Sequence, residues 1–156
     1  MAASGAAAAG LSACAGKPEN ASGAEGSGTM TFRTNPNTGD KVSLLGFGMM
    51  RLPFIKDKKA EDGRGVIDQE EVNHLVDYAM EHGVNYFDTS PAYCQGLSEE
   101  STGIALGRYP RDSYFIATKI SNFSESTHSF GASKEMYLNS LKYLKTDYID
   151  YYLLHS

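Results

Sequence analysis

Short apolar runs alternate with longer stretches in which apolar residues recur at helical spacing. Val72, Leu75, Val76, Ala79 and Met80 fall at i, i+3, i+4, i+7 and i+8, one apolar face of a helix. Asp68 stands at the N-cap with Glu71 three residues on, in capping-box spacing, and Gly83 supplies the stop. A second helix is predicted over residues 98–108, capped by the Ser98 hydroxyl, opened by Glu99 and Glu100, and ended by the Tyr109-Pro110 break. A third, over residues 133–145, is expected to bury Met136, Tyr137, Leu141 and Leu144. The apolar runs between them read as strands: LLGFGM (44–49), a run through Val84, Tyr86 and Phe87, YFIATK (114–119) and YIDYYLLHS (148–156). Gly46 and Gly48 in the first of these permit close backbone approach. Upstream, residues 31–42 read as a hairpin whose turn is Asn-Pro-Asn-Thr-Gly-Asp, and residues 51–66 as a charged, glycine-containing loop. Strand and helix alternate, which is the pattern of parallel βαβ units and an α/β fold.

The polar residues that end these strands carry the candidate chemistry. Three successive strands finish in Asp88, Lys119 and His155, and Tyr93 follows Asp88 by five residues in a polar turn. In parallel α/β sheets and barrels, that end of the strands is where ligands bind and reactions occur. Each of these residues has an ordinary alternative. The chain holds ten tyrosines, a strand-end Asp is often a helix cap, and a Lys or His near a strand end is often merely solvated.

Their order is what sets them apart. The pieces YFDTSPAYCQGLSEE, ATK and DYYLLH resemble, together and in sequence, the aldo-keto reductases, over residues 30–156. The resemblance implies a (β/α)8 TIM barrel, of which this chain would supply the bottom hairpin and the first four strands with three helices. A complete barrel of this kind takes about 250 residues. The first and fourth barrel strands would then be long apolar edges open to pairing. The resemblance also implies an Asp88, Tyr93, Lys119, His155 tetrad. A hydride arriving at a carbonyl carbon leaves charge on the oxygen, and Tyr93 would be the proton donor to it. A Lys119 ammonium nearby favours the phenolate, Asp88 would pair with Lys119 and orient it, and His155 would hydrogen-bond the substrate carbonyl. The hydride requires a nicotinamide, since no side chain supplies one. The family points to NADP(H), with Gly48, Met49 and Met50 in the segment near the nicotinamide ribose and Asp88 beside it. The loops that grip most of the dinucleotide belong to the second half of such barrels. The combination GVIDQEE, HGVNYFDTSPAY, SEE and YPRDSYFIATK resembles bacterial members with a C-terminal ferredoxin-like segment. The clustered cysteines that an iron–sulfur centre needs are not in this sequence.

Composition narrows the partners. A net charge of −5 argues against nucleic acid, and the expected partner is a small-molecule carbonyl substrate. Cys14 and Cys94 lie far apart in dissimilar settings, which indicates neither a disulfide framework nor a zinc site. His74, His82 and His128 lack ligand spacing, so no metal site is expected. Cys94 stands beside Tyr93, where packing is the ordinary role and a reactive thiol the alternative. No run reaches the ~18 apolar residues of a membrane-spanning helix. Residues 1–29 are a separate segment: an Ala/Gly/Ser-rich start, then LSAC (11–14), then a Gly/Ser/Glu-rich tether. LSAC resembles a bacterial lipobox, which would put a lipid anchor on Cys14 and the protein in the cell envelope or periplasm. No Lys or Arg precedes the apolar run, so a plain Ala-rich leader on a cytoplasmic protein stays open as the other reading. Two other functions fit the same fold. One is a non-catalytic nicotinamide-binding or regulatory protein, as in potassium-channel β-subunits. The other, a metal-dependent hydrolase, is disfavoured because no His-x-His or clustered carboxylates occur.

Overall fold

The computed structural model describes residues 29–155. The lipobox reading at Cys14, the tether and Ser156 lie outside the described residues. The chain enters through a hairpin of β1 (Phe32–Thr34) and β2 (Lys41–Ser43), paired antiparallel with Phe32 opposite Ser43. Its turn closes as the composition requires, with Gly39 at φ +81° and the Asn35 carbonyl accepting from Gly39 N–H at 2.8 Å.

The main sheet holds β3 (Phe47–Gly48), β6 (Tyr86–Asp88), β7 (Phe115–Ile120) and β8 (Tyr151–Leu154), in that spatial order. All three pairings are parallel, with Phe47 opposite Phe87, Asp88 opposite Ala117 and Lys119 opposite Leu153. The first barrel strand is shorter than residues 44–49, because only Phe47 and Gly48 reach a neighbour and Leu44 and Leu45 are exposed. Three helices cross between the strands: α1 (Gln69–Glu81), α2 (Ser98–Leu106) and α3 (Phe130–Leu144).

α1 forms as its pattern requires. The Asp68 carboxylate accepts from Glu71 N–H, and Gly83 reverses the chain at φ +82°. Val72, Val76 and Ala79 are buried, whereas Leu75 sits at the margin of the apolar face and is exposed. α2 ends two residues earlier than expected, at Leu106, and Ser98 is not its cap. The Ser98 hydroxyl is instead buried and donates to the Met49 carbonyl at 2.7 Å, a tertiary contact that outcompetes local capping. α3 starts three residues earlier than predicted, because Ser129 caps it by accepting from Ala132 N–H. Of its expected core residues only Leu144 is fully buried; Met136, Tyr137 and Leu141 are half-buried, and Ser140 takes the innermost position.

Residues 51–66 correct the loop expectation. Most of a second hairpin lies there, β4 (Phe54–Lys59) with β5 (Gly65–Ile67), antiparallel and irregular in register. A Cβ on Gly65 would lie 2.5 Å from the Phe54 ring, so only glycine allows that crossing without a shift.

Alternation along the strands divides the sheet's two faces. Phe87 and Ile116 point toward the helices and are fully buried with Val72, Val76, Ala105, Leu106 and Leu144. The opposite face carries Tyr86, Phe115 and Tyr151 in mutual ring contact, with Tyr86 and Tyr151 centroids 5.4 Å apart. Asp88 and Lys119 lie on this second face, above the aromatic layer.

Candidate active site

Asp88 closes β6, Lys119 is the penultimate residue of β7, and His155 follows β8, so parallel pairing delivers all three to one end of the sheet. Lys119 Nζ donates to Asp88 Oδ1 at 2.5 Å and to the Thr89 carbonyl at 2.7 Å. The ammonium is largely buried, with its side chain 11% exposed, while the Asp88 side chain is 32% exposed. An ammonium held in such surroundings needs these acceptors, because an unpaired buried charge is strongly disfavoured.

Tyr93 arrives from a tight turn. Residues Tyr93–Gly96 form a 3-10 turn in which Cys94 (φ 50°) and Gln95 (φ 61°) are both left-handed. That conformation costs roughly 1–2 kcal/mol for each non-glycine residue, so the surroundings must enforce it. Cys94 Sγ donates to the Met50 carbonyl at 3.2 Å and accepts from Leu52 N–H at 3.4 Å. Gln95 Oε1 accepts from Gly65 N–H at 3.0 Å, so the unforeseen β4–β5 hairpin braces the turn from outside. Cys94 is thus a packing and hydrogen-bonding residue of the turn. The turn lays the Tyr93 ring beneath Lys119 Nζ, which stands 4.7 Å from the ring centroid. The His155 ring meets Tyr93 edge-on, with centroids 5.6 Å apart. All four residues singled out in the sequence therefore meet at one place.

The residues expected to face a nicotinamide divide. Gly48 lies opposite Asp88 across β3–β6, is exposed, and a Cβ placed on it would meet nothing within 4 Å. Met49 joins the same place through its backbone, its N–H donating to the Asp88 carbonyl at 2.8 Å, while its side chain is fully buried in the core. Met50 is 46% exposed beside them. Among the described residues, no three metal-ligating side chains gather at any point.

Several residues around the site escaped the sequence reading. Ser90 and Ser121 both contact His155 Nδ1, at 3.1 and 2.8 Å. The Thr89 hydroxyl pairs with Ser98 at 2.8 Å and ties the end of β6 to the start of α2. Behind the sheet, Glu99 is buried and accepts from the Thr118 hydroxyl at 2.6 Å. Burial pushes its carboxyl above the ordinary carboxylate range, with the Thr118 hydrogen bond pulling the other way. Burial, with Glu99 adding to it, pushes the Tyr152 phenol up to about 12. Hydroxyl residues are common at strand ends, and nothing in their spacing marks these as site neighbours.

The arrangement has close counterparts. Residues 44–156 match the model of the aldo/keto reductase family. L-galactose dehydrogenase of Arabidopsis thaliana is 36% identical over 128 residues, which cover 80% of this chain and 37% of that protein. The aldo-keto reductase YhdN of Bacillus subtilis is 30% identical over 132 residues, 81% of this chain and 38% of its own length. Among solved structures, the holo form of aldo-keto reductase AKR11C1 from Bacillus halodurans superposes with a TM-score of 0.64 at 34% identity, over 81% of this chain and 40% of that one. An aldo-keto reductase from Klebsiella pneumoniae, solved with NADPH, gives 0.60 at 25% identity, over 75% and 36%. The chain spans well under half the length of these relatives, and its four parallel strands are part of their (β/α)8 barrel. With its fold and its sequence in agreement over residues 44–156, the chain belongs to the aldo/keto reductase family.

Proposed function

We propose that this chain supplies the proton-transfer half of a reductase that converts an aldehyde or ketone to an alcohol with NADPH. The observation that carries this reading is the meeting of Lys119 with Asp88 on one side and the Tyr93 ring on the other. Tyr93 serves as the acid that protonates the carbonyl oxygen. The Lys119 ammonium stabilises the negative charge left on the phenol, and Asp88 with the Thr89 carbonyl keeps that ammonium in place. His155 donates a hydrogen bond to the same carbonyl and sets its position against Tyr93.

The residues at the end of β3 fit a nicotinamide. Gly48 offers bare backbone next to Asp88, with the space a Cβ would take left open for a flat ring. Gly48, the Met49 backbone, Met50 and Asp88 would hold that end of the cofactor. When bound, it supplies the hydride that no side chain can.

We further take the 156-residue chain alone to be inactive. The Tyr93 and His155 side chains are only half-buried, and water at the site weakens every charge interaction in it. The test uses the longer reductase that contains this chain, with Tyr93→Phe. Carbonyl turnover is expected to fall by about 10²–10⁴-fold, the typical worth of general acid catalysis. NADPH affinity, followed by fluorescence titration, is expected to stay within a few-fold. Full turnover in the Phe variant rejects Tyr93 as the acid. Turnover by the isolated chain rejects the claim that it is inactive alone.

A further inference from the structure

The groove between α2 and α3 holds a pocket that the proposed reaction does not use. It encloses about 300 Å³, and both of its walls belong to this chain. Glu135, Asn139 and Tyr143 of α3 stand exposed around its mouth, and the half-buried Pro91 and Met136 line its sides. Glu99 of α2 lines it from within and is only 3% exposed. Among the described residues, no lysine, arginine or histidine lines it. We propose that this pocket binds a small primary ammonium ion, its charged head on Glu99 and its apolar stem against Met136, Pro91 and the Tyr143 ring.

A buried carboxylate calls for a counter-charge or for several donors. Glu99 has one donor in place, the Thr118 hydroxyl, which reaches Oε1 at 2.6 Å. The Ser140 hydroxyl is near enough to pull the Glu99 pKa down, yet it is fully buried and has no partner in hydrogen-bonding geometry. Among the described residues no hydrogen bond reaches Glu99 Oε2, and that oxygen is not one of those sealed away from solvent. Neither Glu99 nor Glu135 has an ion-pair partner among the described residues. An unused oxygen of a desolvated acid thus meets a cavity whose lining carries no positive charge, and Glu135 adds negative potential at the entrance.

The same features select the occupant. A divalent metal asks for about six oxygen ligands, and no three metal-ligating side chains gather here among the described residues. An ammonium needs at most three acceptors and gains more from a carboxylate shielded from water than from an exposed one. The Tyr143 ring and the Met136 thioether suit an alkyl stem that carries a cation. The volume is at the low end for small-molecule pockets, which fits a short amine. The inference does not rest on the carbonyl-reduction reading.

The test is a calorimetric titration of the longer reductase that contains this chain with n-butylammonium, at mildly alkaline pH, with n-butanol as the neutral control. One saturable site is expected for the amine and none for the alcohol. Glu99→Gln is expected to weaken binding by about 10–100-fold, the worth of a hydrogen bond to a charged group. Glu135→Gln, at the exposed entrance, is expected to weaken it only a few-fold. Thermal unfolding separates loss of the site from loss of the fold: butylammonium is expected to raise the Tm of the wild type and to leave that of folded Glu99→Gln unchanged. Where Glu99→Gln does not fold, Tyr143→Ala carries the comparison, with several-fold weaker binding that Tyr143→Phe restores. Butanol binding as tightly as butylammonium overturns the proposal, as does undiminished amine binding in Glu99→Gln or the lack of any saturable site. Tighter binding of a lysine-containing tripeptide than of butylammonium overturns the assignment to a free amine.

Discussion

Lys119 Nζ stands 4.7 Å from the centroid of the Tyr93 ring while its own hydrogen bonds go to Asp88 and the Thr89 carbonyl. The ammonium is anchored from the sheet side and acts on the phenol through space. Among the described residues, no hydrogen bond joins Lys119 directly to Tyr93. The anchor and the target can therefore be separated by mutation.

Lys119→Met leaves the Asp88 carboxylate without its partner. The loss of a hydrogen bond to a charged group costs about 1.5–3 kcal/mol, and partial exposure of Asp88 favours the lower end. Adding Asp88→Asn removes the stranded charge and is expected to restore part of that stability. With the substitutions made in the longer reductase proposed above, carbonyl reduction is expected to stay lost in both. Urea unfolding and steady-state kinetics on the three proteins would check this, and parallel recovery of activity with stability would contradict the assigned role of Lys119.

Glu99 predicts an inverted pH dependence. A carboxyl whose folded-state value is raised, chiefly by burial, imposes no cost below its ordinary value of 4.5. As pH rises past that point, the unfolded chain ionises its carboxyl while burial makes the folded state hold its proton, and stability falls. Glu99→Gln keeps an oxygen to accept from Thr118 and has no charge to bury. The variant is expected to be more stable than the wild type at neutral pH, with the difference vanishing below pH 4.5. Thermal unfolding across that range reads the result, and an equal gap at every pH would show that burial of the charge is not its cause.

Two glycines should respond to the same substitution in opposite ways. Gly48→Ala places its Cβ in open space, so stability should hold while NADPH affinity falls several-fold. Gly103→Ala drives its Cβ to 2.6 Å from the Tyr143 carbonyl oxygen and 2.7 Å from Leu144 backbone atoms. Overpacking of that kind costs typically 1–3 kcal/mol, more than the ~1 kcal/mol that alanine gains over glycine in a helix. Denaturant unfolding and fluorescence titration on both variants would show it, and unchanged cofactor affinity in Gly48→Ala would move the nicotinamide elsewhere.

How much of this was legible in the sequence follows from where each feature's energy comes from. α1 is written locally, in the Asp68 cap, the spaced apolar face and the Gly83 stop, and it forms accordingly. Asp88, Lys119 and His155 could be placed because each interrupts or ends an apolar strand, and parallel pairing does the rest. The β4–β5 hairpin was not visible, because its outer strand is mostly exposed and lacks alternation. Ser98 looked like a cap by every local rule, yet the Met49 carbonyl, brought near only by the fold, claims its hydroxyl. The Ser90 and Ser121 contacts with His155 likewise join residues from three separate strand ends, a relation that sequence spacing does not encode.

β7 is read from both of its faces at adjacent positions. Thr118 donates backward to Glu99 on α2, and Lys119 reaches forward to Asp88 on β6. If β7 slipped by one residue against β6, the two side chains would exchange faces, setting the ammonium against the helices and a hydroxyl in the site. Both the charge pair and the buried carboxylate's partner would vanish in the same step. The arrangement works as a checksum on strand pairing: one register satisfies both contacts, and a shift of a single residue forfeits them together.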